Sequence, residues 1–149
     1  MPFHYALSAL LRLRESLEKS ELQRLQSIAA QLVQVHAEIA SLDAEIEATR
    51  RQVAERASAG ITGAELHAEA VGEFARAQFR AALVKKRDEL EIERQEQQAR
   101  YKEARQRREI LSNLRERQFS AYQREQERRE QQQVDELFLI RRSSRRRSG

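Results

Sequence analysis

Helix-breaking residues are scarce in this chain, and their scarcity restricts its fold more than any other feature. The single proline is Pro2, and the interior glycines are Gly60, Gly63 and Gly72. A sheet fold needs turns built from Gly, Pro, Asn or Asp every few residues, so sheet folds are excluded. Because 35% of the residues are charged and 5% are aromatic, a thick core is excluded too. Such a chain either stays disordered or buries a narrow stripe along long helices.

Apolar residues in the first half of the chain recur at alternating steps of three and four, which is the a/d pattern of a coiled coil. The pattern continues over four heptads, and only Thr49 departs from the expected residue types. We predict that these residues form the seam of the first helix. The predicted seam comprises Leu25, Ile28, Leu32, Val35, Ile39, Leu42, Ile46 and Val53.

The helical pattern is interrupted at residues 58–63, where two glycines lie within four positions. Thr62 and Glu65 have the spacing of a capping box, which marks the start of a second helix. We therefore predict a helix over 5–57, a hinge at 58–63 and a helix over 63–142. Together they form one coiled-coil domain, residues 1–142, which is followed by a disordered basic tail at 143–149.

The predicted fold class is all-α, a long two-helix antiparallel coiled-coil hairpin. A bend centred on Gly60 places Ile39 opposite Leu83, and the second helix then extends beyond the first. The apolar residues of the second helix form a looser seam. It is expected to include Leu66, Val71, Phe74, Phe79, Leu83, Leu90, Tyr101, Ala104, Leu111, Leu114, Phe119, Tyr122, Val134 and Leu137.

A bend centred on Gly72 is the alternative register, and it would bring Val134 and Leu137 against Leu7 and Leu10. The Gly60 register is preferred because it places the weakly apolar stretch 18–24 opposite the similar stretch 97–103. The sequence leaves both registers open.

Residues that carry catalysis or bind metals form no recognisable site. The chain has no cysteine, so thiolate chemistry and sulfur-based zinc sites are excluded. His4, His36 and His67 are too scattered for a pair of ligands on one helix face, and no phosphate-binding loop is present. We expect no enzyme, cofactor, metal or small-molecule substrate. We also expect neither secretion by a signal peptide nor a membrane span, because no uncharged stretch approaches ~20 residues.

Positive charge is concentrated in the last third of the chain. Residues 101–149 carry fourteen Lys/Arg against eight Asp/Glu, a net of +6, and they end in a cluster of arginines. This segment is either a solvated tail, a surface for an acidic protein, or a contact for nucleic acid or anionic lipid. Nucleic acid is not the expected partner, because Phe119, Tyr122 and Phe138 are too sparse to form a stacking platform.

Three short motifs stand at the start, the middle and near the end of the chain. The opening segment reads Phe3-His4-Tyr5-x-Leu7-x-x-Leu10-Leu11-x-Leu13-Arg14. A Gly60-Ile61 break lies near the middle, and Val134-Asp135-Glu136-Leu137 follows a helix rich in Glu, Arg and Gln near the end. Together these motifs resemble the flagellar export chaperone FliJ family, and the resemblance covers almost the whole chain.

The resemblance implies a component of the flagellar type III export apparatus, similar to the central stalk of rotary ATPases. It implies three partners, which are the flagellar export ATPase hexamer, the cytoplasmic domain of the export gate, and export chaperones. It also implies a cytoplasmic location at the inner face of the inner membrane. Two alternatives stay open: a structural or tethering coiled coil, and a nucleic-acid-associated coiled coil acting through its Arg-rich C-terminus.

The resemblance also suggests which residues bind these partners. Leu42 stands where the family keeps a leucine in its gate-binding patch near the bend, so it is the predicted gate contact. For the ATPase, the preferred register leaves apolar residues of the second helix uncovered beside the basic N-terminal end of the first. The predicted ATPase-docking residues are Arg12, Arg14, Val134, Leu137 and Phe138.

Overall fold

The computed structural model describes residues 2–148. Over that range it contains two α-helices, α1 (Ser8–Ala59) and α2 (Gly63–Ser148), and no strand. The fold is therefore an all-α helical hairpin, as the sequence predicts. Met1 and Gly149, which belong to the predicted domain and tail, lie outside the described residues.

The break between the helices is formed by a left-handed residue and a side-chain cap. Gly60 has a φ of 99°, which only glycine adopts without strain. The backbone N–H of Glu65 then donates to Oγ1 of Thr62 at 3.2 Å, and the N–H of Leu66 donates to the carbonyl of Thr62 at 3.0 Å. Thr62 thus caps α2 in the way that its spacing to Glu65 predicts.

Both helices end later than the sequence predicts, α2 begins at the predicted Gly63, and α1 begins later than predicted. The N–H of Ser8 donates to the carbonyl of Tyr5 in a turn, so α1 begins at Ser8 and not at residue 5. At the other end of the chain, residues 143–148 are helical, where the sequence analysis expects a disordered tail. No residue in that stretch breaks a helix, and arginines in the last turn interact favourably with the helix dipole.

The described residues form two compact units, and each unit contains a segment of both helices. Unit 1 comprises the described residues up to Glu18 together with those from Ala104 onward, and unit 2 comprises Lys19–Glu103.

Unit 2 holds the main apolar core, in which the two helices pack antiparallel. Arg80 donates to both carboxylate oxygens of Asp43, at 2.6 and 3.2 Å, and Arg50 pairs with Glu73 at 2.9 Å. These pairs fit a bend at Gly60, so the alternative register centred on Gly72 is wrong for unit 2. The core cluster comprises Ile28, Leu32, Val35, Ile39, Leu42, Leu83 and Leu90.

A buried polar residue lies one heptad beyond Leu90 on α2. Gln97 is the buried polar side chain among the residues whose burial is described. Its amide donates to the backbone carbonyl of Glu21 at 3.0 Å and also to the Glu21 carboxylate. A buried amide is tolerated because its hydrogen bonds are made within the fold.

The first part of α2 exposes apolar residues that the sequence analysis places in the seam. Counting back in sevens from the buried Leu83 reaches Arg76 and Glu69, so charged residues occupy the inward positions there. The Nε of Arg76 is buried and has no hydrogen-bond partner among the described residues. The displaced apolar residues are exposed instead. They are Leu66, Val71, Phe74 and Phe79.

Unit 1 is held by a small aromatic cluster. The hydroxyl of the buried Tyr5 donates to the carbonyl of Leu111 at 3.0 Å, and the ring of Phe3 packs edge-on against Phe119 with centroids 5.1 Å apart. Arg108 also donates to both carboxylate oxygens of Glu18, at 2.6 and 3.2 Å. In unit 1, as in unit 2, the helices are therefore antiparallel.

Candidate interaction surfaces

The last part of α2 in unit 1 is exposed on all sides. The ring of Phe3 contacts Tyr122, with centroids 5.6 Å apart, and residues 127–147 are all exposed. We call residues 127–147 the terminal segment. At 1.5 Å per residue, its 21 residues are about 30 Å long.

Side-chain pairs support the helix where the terminal segment begins. Arg128 and Arg129 both pair with Glu125, at 2.8 and 3.2 Å, and Gln131 donates to Asp135 at 3.1 Å. Pairs at these spacings stabilise a helix that has no tertiary packing. They explain how an exposed helix continues toward the C-terminus.

These pairs predict an unusual titration. The hydrogen bond from Arg128, with help from Arg129, lowers the pKa of Glu125 from 4.5 to about 2. Since the folded pKa is depressed, the stabilising contribution is present above pH 4.5 and is lost as the pH falls through 2. We expect the Glu125 carboxyl ¹³C shift, followed by NMR, to titrate near pH 2. Replacing Arg128 by glutamine should move the midpoint toward 4.5, and a wild-type midpoint near 4.5 would contradict the pairing.

The terminal segment presents an apolar band followed by a basic one. Phe138 is 64% exposed, and the predicted docking residues Val134 and Leu137 are similarly exposed. Sequence reasoning omits Leu139 and Ile140, which are equally exposed; their position in one uninterrupted apolar run is the signal that could have found them. The arginines that follow are Arg141, Arg142, Arg145, Arg146 and Arg147.

The predicted docking residues are not all brought together. Arg12 is exposed and lies in the same shallow pocket as Arg115. Val134 lies 19 residues beyond Arg115, which is about 28 Å along α2. The expectation that Arg12 meets the apolar band is therefore corrected, because Arg12 lies beside an earlier part of α2. Arg14 is partly buried.

Leu42 is a core residue in this structure. It is 7% exposed and belongs to the apolar cluster between the helices. Its burial leaves little of the side chain for a partner, which corrects its assignment as an exposed gate contact.

The other residues of the predicted seam are either buried or partly buried. Ile28, Leu32, Val35 and Ile39 are buried, and Leu25, Ile46 and Val53 are partly buried.

A groove flanks the bend within unit 2. Its apolar lining includes Ile46 and Val53 from α1 and Leu66 and Ala70 from α2. The Arg50–Glu73 pair lies in the same groove. It is a second surface that could receive a protein partner.

Neither a metal site nor a membrane span is found in the described part of the chain. No group of three or more His, Cys, Asp or Glu side chains among residues 2–148 is placed to hold a metal ion. Within the same residues, no helix is both long and apolar enough to cross a bilayer.

Comparison with known protein families shows which family the chain belongs to. Residues 3–148 match the model of the family described as Flagellar FliJ protein. The chain belongs to the FliJ family. As a FliJ-family member it is a component of the flagellar export apparatus and takes part in protein transport. Members of the FliJ family are structural, chaperone-like components of protein export, and the family is not a known enzyme family. No curated protein and no solved structure matches the chain.

Proposed function

We propose that this FliJ-family chain acts as a stalk-like coiled coil of the flagellar export apparatus. It docks through its terminal segment to the export ATPase hexamer, binds the cytoplasmic domain of the export gate, and escorts export chaperones. It works at the cytoplasmic face of the inner membrane. Family membership supports the setting, and the surfaces of the chain support the individual contacts.

One observation carries the ATPase proposal: the terminal segment exposes Val134, Leu137 and Phe138 together, although each is large and apolar. Contiguous apolar residues on a protein surface mark interaction sites. Aromatic and arginine side chains are enriched among residues that dominate binding energy. An apolar band beside an arginine cluster therefore suits an acidic protein surface with an apolar centre.

The composition of the terminal segment also suits a partner that rotates or changes shape. Its side chains before the apolar band are mostly Arg, Glu and Gln, which form many weak polar contacts instead of one deep one. Exposed charged pairs contribute little individually. A helix with such a surface can stay bound within a ring in several orientations.

For the export gate, we propose the groove beside the bend in place of Leu42. The groove combines apolar side chains such as Ile46 and Leu66 with the charged Arg50–Glu73 pair. The family's gate-binding patch is expected to flank the bend, which is where this groove lies. Chaperone binding is proposed from family membership alone.

The ATPase proposal is tested by stimulation of the purified export ATPase. Changing both Leu137 and Phe138 to serine should abolish most of the stimulation, because the exposed apolar band is lost. The melting temperature, followed by circular dichroism, should stay unchanged since neither residue is packed. Deleting residues 132–149 should have the same two effects.

The matched control is Val33→Ser, which alters a similarly exposed apolar residue of α1. It should keep full stimulation. Full stimulation by the Leu137/Phe138 variant would end the docking proposal. A steep loss of nucleic-acid binding with rising salt, found together with full ATPase stimulation, would favour the nucleic-acid alternative.

A further inference from the structure

A second heptad pattern runs along the outer face of α2 in unit 2. Its residues recur at alternating steps of four and three, which is coiled-coil spacing. Three of its residues directly precede the inward positions Glu69, Arg76 and Leu83. Since neighbouring residues of a helix are separated by about 100°, the pattern lies about 100° around α2 from those inward positions. All six residues are exposed. They are Ala64, Ala68, Val71, Ala75, Gln78 and Ala82.

This outer stripe carries no charge among these six positions, although it faces solvent. Phe74, which flanks it, is 67% exposed, and Phe79 on the other flank is also exposed. Alanines in a heptad seam let two helix backbones approach closely, and large exposed apolar side chains beside them mark a contact surface. The stripe therefore has the composition of a helix–helix interface.

The residues that flank the stripe in one copy are complementary to the flanking residues of a second copy when the two copies run antiparallel. With the two-fold axis midway between positions 76 and 77, Ala75 lies opposite Gln78 and Val71 lies opposite Ala82, which gives four central layers without charge. At the two ends of the overlap Ala68 lies opposite Lys85 and Ala64 lies opposite Glu89.

The residues that directly follow Ala64, Val71 and Gln78 occupy e positions, and the residues that directly precede Ala68, Ala75 and Ala82 occupy g positions. In an antiparallel coiled coil the e positions face each other, and so do the g positions. Once the axis is fixed, the sequence therefore determines which flanking residues face each other.

The apolar flanks pair large residues with small ones. Phe79 of one copy lies opposite Gly72 of the other, and Phe74 lies opposite Ala81. Large side chains opposite small ones fill a helix interface without overpacking.

The charged residues of the flanks meet with opposite signs. Glu65 of one copy lies opposite Lys86 of the other. A parallel pairing would instead place Lys85 against Lys85 and Glu89 against Glu89, and like charges in a seam are destabilising. The charge pattern thus selects the antiparallel arrangement.

We infer that two copies of this chain associate antiparallel through the outer stripe of α2. The occupant of the stripe is a second copy, because the same 26 residues, 64–89, supply both halves of every pair. The terminal segment and the groove beside the bend take no part, since none of the paired residues belongs to either. Self-association is therefore separate from ATPase and gate binding.

Sedimentation equilibrium of the full chain tests the inference. The mass should rise from one copy toward two with increasing concentration. Ala75→Glu places a charge in the stripe and should weaken dimerisation roughly tenfold or more, which corresponds to about 1.4 kcal/mol. Ala77→Glu is the matched control: it makes the same change at an exposed position on another face of the same helix, and it should dimerise like the wild type.

The register is tested by cysteine pairs, since the chain has no cysteine of its own. A mixture of the Ala75→Cys and Gln78→Cys proteins should oxidise to a mixed dimer, whereas Phe74→Cys alone should not form a linked dimer. Linking of Phe74→Cys to itself, or of Ala75→Cys to itself in preference to the mixed pair, would overturn the register. A full chain that stays monomeric at about 100 μM, or a dimer that Ala75→Glu leaves intact, would overturn the interface.

Discussion

Replacing Val35 by aspartate should unfold unit 2 at temperatures where the wild type is folded. Val35 is 1% exposed and lies within the core cluster. A carboxylate there would be desolvated without a partner, which costs about 4 kcal/mol. We expect the melting temperature, followed by circular dichroism at 222 nm, to fall by roughly 10 °C or more.

Val33→Asp is the matched control, because it makes the same change two residues away on the same helix. Val33 is 70% exposed, so the free energy of unfolding should change by no more than about 0.5 kcal/mol. Equal melting temperatures for the two variants would show that the face of α1 assigned to the core is not the packed one.

Replacing Tyr5 by alanine should release the start of α1 in unit 1. Tyr5 is buried, and its hydroxyl donates to the carbonyl of Leu111 at 3.0 Å. Truncating a buried aromatic side chain costs about 3 kcal/mol or more. We expect faster hydrogen exchange of the backbone amides of residues 8–18, because few other packed residues hold that segment.

Tyr5→Phe separates the ring from the hydrogen bond. It keeps the packed ring and should cost about 1 kcal/mol, the typical net worth of one hydrogen bond. Amides of residues 28–42, which lie in unit 2, should exchange at wild-type rates in both variants. Slower folding or faster exchange throughout unit 2 would contradict the assignment of Tyr5 to a local core.

The fold class could be predicted because two features of the sequence act over long distances. The interior glycines stand only at positions 60, 63 and 72, and the apolar residues of α1 from Leu25 to Val53 repeat with one period. A left-handed residue is placed most readily where glycine stands, so composition limits the bend to these positions. The Thr62 cap was likewise visible in the spacing to Glu65.

The inward face of α2 could not be predicted in the same way. Sequence reasoning follows the apolar residues, and in the first part of α2 these include Val71 and Phe74. The structure instead turns Glu69 and Arg76 inward, since the face of a continuous helix is set by the better-packed Leu83 and Leu90 further along. One segment of a long continuous helix cannot rotate independently of the next. The local pattern of apolar residues therefore does not decide which face of that segment is buried.

The interaction surfaces were predicted less completely than the fold. The exposure of Phe138 follows from the register, because α1 contributes no residue that reaches it. The separation of Arg12 from the apolar band depends on which part of α2 the start of the chain packs against, and the contact between Phe3 and Tyr122 belongs to that packing. Leu42 shows the reverse case, in which one residue satisfies both a seam pattern and a family motif, and its burial decides between them.

Site-specific cross-linking tests the central claim, that the terminal segment docks to the export ATPase. A photoreactive amino acid replaces Phe138 in one protein and Val33 in another, and each is irradiated with the assembled ATPase and the gate cytoplasmic domain. We predict an adduct between position 138 and the ATPase, and no ATPase adduct from position 33. An adduct of position 138 with the gate domain alone, or ATPase adducts of equal yield from both positions, would contradict the account.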